Sequence, residues 1–202
     1  MSNSSTTLAS AAWPGTGGNV LLRNIVLAVA GSALIAICAK IQVPMWPVPM
    51  TMQVFAVLLI GLAYGARLGF ATVALYLAEG AIGLPVFASG GGFAYLAGPT
   101  GGFLLGFPIA AFLAGWLAER GWGRPVLQVF LASVLGIALI YAIGVPWLAN
   151  FFATAKGMVW STALATAFAK GMTPFLVGDL VKAALAAAIL PAAWKLVSKG
   201  GS

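Results

Sequence analysis

The chain contains no histidine, a single cysteine at Cys38, and only three acidic residues, Glu79, Glu119 and Asp179. One cysteine excludes an internal disulfide, and without histidine a zinc or haem centre has too few ligands to form. No Gly-x-x-x-x-Gly-Lys-Ser/Thr loop occurs, so the chain is not expected to hydrolyse ATP. His-Glu-x-x-His and the serine nucleophile elbow are missing as well, and no histidine is available as a base. An intramembrane enzyme would have to rely on Glu79 and Asp179 as a carboxylate pair, which is a poor fit. The sequence therefore points to binding rather than catalysis, with no cofactor and no metal.

Charge is scarce overall. Only 6% of the 202 residues are charged and 62% are hydrophobic, against about a quarter charged and somewhat under half apolar in soluble domains. A small soluble fold cannot hide so much apolar surface, so the solvent is lipid. The formal charge of +7 does not indicate nucleic acid, because the ten basic residues are scattered between apolar runs instead of forming a stripe.

A helix needs about 20 apolar residues to cross the hydrocarbon layer. Six runs qualify as candidates: 24–41, 50–64 (short), 68–87, 101–118, 126–148 and 172–194. The expected fold is an all-α integral membrane protein, a six-transmembrane-helix bundle over residues 21–202. Residues 1–20 are polar, small and uncharged, and are expected to form a disordered tail. With the N-terminus inside, Arg23, Arg67, Arg120, Arg124, Lys195 and Lys199 fall on the cytoplasmic side, and Lys40, Lys156 and Lys170 on the other. That excess predicts a cell-membrane protein with both termini cytoplasmic.

Two outer connections interrupt the apolar pattern. Residues 42–49 hold Pro44, Pro47 and Pro49, which preclude regular helix. Residues 89–100 are rich in glycine. Irregular backbone at membrane depth must be buried in protein or line a wet cavity, so both loops are expected to wall a site open to the outside. The stretch 149–171 carries Trp160 and a run of small residues that could form a helix across the same mouth.

Gly102, Gly106, Ala110, Ala114 and Ala118 recur every fourth residue and so share one helix face, where small side chains admit a close neighbour. Ala28, Ser32 and Ala36 make a similar stripe, open to two uses: packing inside the bundle, or docking of another membrane subunit. Gly61, Gly65 and Gly69 straddle a tight inner turn.

Glu79, Asp179 and Lys182 lie within expected spans, where an ionised group costs about 2.5–3.5 kcal/mol even on lenient scales and usually faces a cavity or a partner. Asp179 and Lys182 are three residues apart, hence neighbours on one helix face. They can pair with each other, or together offer an acceptor and a cationic donor to a ligand. Glu79 could pair with Lys40 or Lys182, or contact a ligand. Tyr95 could anchor the glycine-rich loop at the interface or present its ring and hydroxyl to the site. Thr51 and Gln53 could hold ligand or tie off the proline-rich loop.

Several blocks are similar to the BioY family: Val48-Pro49-Met50-Thr51-Met52-Gln53, the segment from Gly80 to Ala88, Tyr95-Leu96-Ala97-Gly98-Pro99-Thr100-Gly101-Gly102-Phe103, and Pro174-Phe175-Leu176-Val177-Gly178-Asp179-Leu180-Val181-Lys182. The likeness runs in order from about Leu21 onward. BioY proteins are the biotin-specific substrate-binding (S) components of energy-coupling factor (ECF) transporters. The resemblance implies a six-helix bundle in the lipid bilayer that binds biotin from the outer side. Its implied partners are a transmembrane coupling protein and two ATP-binding subunits, with Ala28, Ser32 and Ala36 on the docking face. The expected substrate-binding set is Thr51, Gln53, Glu79, Tyr95, Asp179 and Lys182, of which Glu79 comes from its place in an apolar span and not from the resemblance. Alternatives are an S component for another small vitamin or metabolite, and a stand-alone proton-coupled carrier.

Overall fold

In the computed structural model, residues 7–14 and 19–200 are described, except for the side chains of 199 and 200. The chain runs up and down between two ends. Helix α1 (Leu8–Ala12) precedes α2 (Asn19–Lys40), followed by strands β1 (Gln42–Val43) and β2 (Met50–Thr51) and helices α3 (Gln53–Tyr64) and α4 (Ala66–Ala81). The short α5 (Phe93–Leu96), α6 (Gly101–Leu117), α7 (Val126–Lys156), α8 (Trp160–Gly171) and α9 (Leu176–Gly200) complete it. Four segments are long and apolar enough to cross a membrane: Asn19–Lys40, Gly101–Trp122, Val126–Lys156 and Trp160–Ser198. Helix α3, with 12 residues, is a shorter apolar helix, and α4 has 16.

Several expected boundaries need correcting. The disordered tail does not hold across its described part. Thr7 caps α1, its Oγ1 accepting from Ser10 N at 3.4 Å, and Leu8 packs against the core. Arg23 donates to the Trp13 carbonyl at 3.1 Å, tying this segment to α2, which begins five residues before the expected start. The rest of the expected tail, 1–6 and 15–18, lies outside the described residues.

The run at 50–64 opens as strand before its helix: Gln42 pairs with Thr51 and Val43 with Met50 in a small antiparallel hairpin that the prolines leave as the option for this loop. Helix α4 stops at Ala81 rather than continuing to 87, because Gly83 at φ 105° and then Pro85 cannot extend it. Helix α7 runs eight residues beyond its expected end, with Pro146 inside it. Phe152, beyond the counted run, is 1% exposed and anchors the extra turns, and Gly157 at φ 63° provides the left-handed cap that ends them. At 31 residues α7 is about 46 Å long, well over the hydrocarbon thickness.

Helix α8 forms in the stretch that sequence suggested. Its Ala163, Ala167 and Gly171, spaced by four, are buried, and a Cβ at Gly171 would lie 2.5 Å from a Leu148 methyl of α7. The last run begins with a 3-10 turn (Thr173–Phe175), so α9 starts four residues late and ends beyond Trp194.

Helix α6 is central, packing against α3, α4 and α7. Its stripe Gly102, Gly106, Ala110, Ala114 and Ala118 is buried throughout. A Cβ at Gly102 would lie 2.2 Å from Trp147 Cβ, and one at Gly115 would lie 2.3 Å from the Gly65 carbonyl carbon. The stripe Ala28, Ser32 and Ala36 also turns inward: Ser32 is 2% exposed and its flanking alanines are half-buried. The outward face of α2 is instead Ile25, Val29 and Ile37. Ser32 thus takes part in packing against α4, bonded to Glu79, while Ala28 and Ala36 stay half-exposed on the same face.

Candidate functional site

At the end of the bundle carrying the hairpin and the glycine-rich loop, the helices part around a cavity of about 600 Å³, its open mouth included. Each wall follows from a local feature of the chain. The prolines of the first loop press Val48 and Pro49 against one side, and Thr51 and Gln53 enter where the hairpin hands over to α3. Helix α6 contributes Phe103, Leu104 and Phe107 from its first turns, and α7 contributes Ile137, Ile140 and Tyr141. The 3-10 turn after Met172 and the start of α9 supply Phe175, Asp179 and Lys182, and Tyr95 closes in from the loop.

The polar groups form two connected sets. In the first, Lys182 Nζ donates to Asp179 Oδ1 at 2.8 Å and the Tyr141 hydroxyl donates to Asp179 Oδ2. Asp179 and Lys182 are each 5% exposed. Pairing is what permits their burial, since an isolated charge in hydrocarbon would be expensive. The cluster is not saturated by its own contacts: an ammonium has three donors and a carboxylate about four lone-pair sites. Lys182 keeps two N–H groups and Asp179 keeps acceptor capacity at the cavity wall.

In the second set, Thr51 Oγ1 donates to Gln53 Oε1 at 3.0 Å and accepts from Gln53 N at 3.2 Å. Gln53 Nε2 donates to the Tyr76 hydroxyl at 2.6 Å, which donates to Val86 O at 3.1 Å. The chain of bonds links hairpin, α3, α4 and the outer loop. Thr51 and Gln53 therefore tie off backbone and line the cavity at once.

Tyr95 is placed by stacking. Its ring lies 5.1 Å from that of Phe87 at 28°, and Phe87, fully buried, meets Tyr76 edge-on at 5.6 Å. Gly80 makes room for it: a Cβ there would come within 2.0 Å of the Phe87 ring. Lys40 Nζ donates to Phe87 O at 2.7 Å and Gln42 Nε2 to Ala88 O at 3.2 Å, which fastens the two outer connections together.

Five of the six expected site residues, Thr51, Gln53, Tyr95, Asp179 and Lys182, thus line one cavity. Glu79 does not. It accepts from Ser32 Oγ at 2.6 Å on the α2 side of α4, and neither Lys40 nor Lys182 is its partner. Sequence reasoning missed Tyr141. The available signal was a phenol in the middle of an apolar run, away from the interfacial belt where tyrosine usually sits.

Comparison with known proteins agrees with this architecture. The sequence model of the BioY family matches residues 5–199. The Probable biotin transporter BioY of Pyrococcus horikoshii is 45% identical over 158 residues, covering 78% of this chain and 87% of its own length. The Biotin transporter BioY of Thermotoga maritima is 41% identical over 170 residues, covering 83% and 94%. In three dimensions the chain resembles the S-component for biotin from an ECF-type ABC transporter, with a TM-score of 0.70 over 90% of this chain and 95% of that one, at 23% identity. The likeness in structure concerns the fold. The match from residue 5 to residue 199 and the identities to curated relatives concern descent, and by them the chain belongs to the BioY family.

Proposed function

We propose that this chain is the biotin-binding membrane component of an ECF-type importer, taking biotin from the outer side and delivering it to the cytoplasm without catalysing a reaction. The observation that carries the reading is the Asp179–Lys182–Tyr141 cluster on the wall of an otherwise apolar cavity. Biotin has a ureido ring with two N–H donors and one carbonyl, an apolar sulfur ring and a carboxylate tail. Asp179 retains acceptor capacity suited to ureido N–H groups, and Lys182 retains donors suited to a carbonyl or carboxylate oxygen. Phe103, Phe107 and Ile140 suit the sulfur ring. Mostly apolar walls with a few placed polar groups are the usual design of a site for such molecules.

In this reading the chain crosses the membrane six times, the shorter α3 and α4 included, and both termini are cytoplasmic. The alternation of element ends supports it. Arg67, Arg120, Arg124 and Lys195 lie at the end where α2 begins and α9 finishes, and Lys40, Lys156 and Lys170 lie at the cavity end. A transmembrane coupling protein and two ATP-binding subunits would complete the importer, since the chain carries no phosphate loop of its own.

Equilibrium binding of labelled biotin to the purified chain in detergent tests the proposal. Saturable binding is expected, with riboflavin and thiamine failing to compete. Absence of saturable binding, or displacement by those vitamins, rejects the assignment of ligand.

A further inference from the structure

A second concave site lies at the opposite end of the bundle. It is a groove of about 910 Å³, open to its surroundings, between α1, the turn that precedes α7 and the last turns of α9. Arg124, Trp194, Lys195 and Ser198 supply its polar lining, with Ala11 and Pro191 among its apolar walls. The Arg124 guanidinium lies over the Trp194 ring, 4.3 Å from its centroid, an arrangement that fixes the cation against an aromatic shelf. The Trp194 indole nitrogen is buried and makes no hydrogen bond among the described residues.

This end of the chain holds more cations than anions, Arg23, Arg67, Arg120, Arg124 and Lys195 against Glu119 among the described residues. Of the three acidic side chains, Asp179 is held by Lys182 and Tyr141, Glu79 accepts from Ser32, and Glu119 accepts from the Ala66 N–H at 2.9 Å. Among the described residues the only ion pair is Lys182–Asp179. Among the described residues no acidic side chain pairs with Arg124 or Lys195, which leaves both cations open to an anion from outside the chain.

The surroundings indicate its source. Val126 and Leu127, which follow Arg124 directly, are 58% and 67% exposed, and Leu196, next to Lys195, is 74% exposed. A soluble anion gains nothing from these apolar flanks, whereas acyl chains would cover them. Basic pockets between membrane helices at the level of the interface are suited to anionic headgroups. We propose that this groove binds the phosphate of an anionic phospholipid, with Arg124 and Lys195 as its cationic partners. The proposal is independent of what the cavity at the other end binds.

Native mass spectrometry of the full chain, purified in detergent and supplied with phosphatidylglycerol or phosphatidylcholine, tests it. The unsubstituted chain is expected to retain phosphatidylglycerol preferentially, and excess inorganic phosphate should not displace it. The R124Q/K195Q double variant should lower phosphatidylglycerol occupancy roughly tenfold or more. Lys170→Gln, a comparable loss of charge at the other end, should leave it unchanged. Equal retention of the two lipids by the unsubstituted chain overturns the proposal even if the double variant fails to fold. Undiminished occupancy in a folded double variant, or an equal loss in Lys170→Gln, overturns it too. Displacement by inorganic phosphate would show a site for a soluble anion and reject the lipid.

Discussion

The two ends of this bundle are built from the same helices and packed on opposite plans. Near the Gly65 turn, backbones touch: a Cβ at Gly61 would lie 2.4 Å from the Ala111 carbonyl oxygen, and one at Gly69 would lie 3.0 Å from the Gly61 Cα. Around the cavity, α6 and α7 still meet closely at Gly102, Gly106 and Gly144, but they turn Phe103, Phe107, Ile137 and Tyr141 toward an open space, and the connections are irregular loops rather than tight turns. Small residues let helices associate in lipid by close packing where no hydrophobic drive exists. Large residues and buried polar groups keep a space that lipid cannot enter. The difference teaches that one end supplies cohesion and the other supplies the site.

The largest effect should come from breaking the cohesive end. In Gly115→Leu the new side chain meets backbone atoms of Gly65 and Ala66, which cannot rotate away. Overpacking typically costs about 1–3 kcal/mol, and occasionally more. The expected outcome is loss of monodisperse protein on size-exclusion chromatography, or a sharply lowered Tm. A parent-like Tm would mean that the ends are not packed differently in the way described.

At the cavity end, Asp179→Asn should reduce affinity for biotin about 100-fold or more, because bonds to a charged group contribute about 1.5–3 kcal/mol each. It also leaves Lys182 as a buried unpaired cation, a change that typically costs about 3–5 kcal/mol. The double substitution Asp179→Asn with Lys182→Met separates the two effects: Tm should recover while binding stays lost. Recovery of both would assign the pair to structure alone. A finer cut is Tyr141→Phe. The ring keeps its edge-on contact with Phe103 at 6.4 Å and loses only the bond to Asp179. Affinity for biotin should fall about 10- to 100-fold with Tm close to the parent's, read by equilibrium binding and thermal unfolding on the same preparation.

The sequence made the packing of α6 along its length more legible than the cavity. The stripe from Gly102 to Ala118 could be read directly, because spacing by four places small residues on one face whatever they pack against. The stripe on α2 shows the limit of that reasoning. Spacing identified the face of Ala28, Ser32 and Ala36 but not what it meets, and only the structure turns it toward α4 with Ser32 bonded to Glu79. At the cavity, Asp179 and Lys182 stood out because charge in an apolar run has few harmless explanations. Tyr141 did not, since one hydroxyl on an aromatic ring scarcely changes the hydropathy of its run. Chain that hydropathy treats as ordinary was the hardest to read. Neither the turns of α7 around Phe152 nor the packing of Leu8 follows from composition, because both depend on partners distant in sequence.

The smallest effect belongs to Glu79, and it sharpens the contrast between carboxylates. Both Glu79 and Asp179 lie in apolar helices, and by residue type alone they are equivalent candidates for a site. Asp179 lines the cavity beside a cation, whereas Glu79 is half-buried between α4 and α2 and accepts one hydrogen bond from Ser32. In Glu79→Gln the side-chain carbonyl can still accept that bond and no buried cation loses a partner. Affinity for biotin should therefore stay within roughly twofold of the parent, the scale of substitutions remote from buried networks. Ser32→Ala should leave affinity equally unaffected, because the pair joins two helices without reaching the cavity wall. A fall in affinity comparable to that of Tyr141→Phe would mean that the α2–α4 contact shapes the pocket from outside, and the division of the bundle into a cohesive end and a binding end would have to be redrawn around α4.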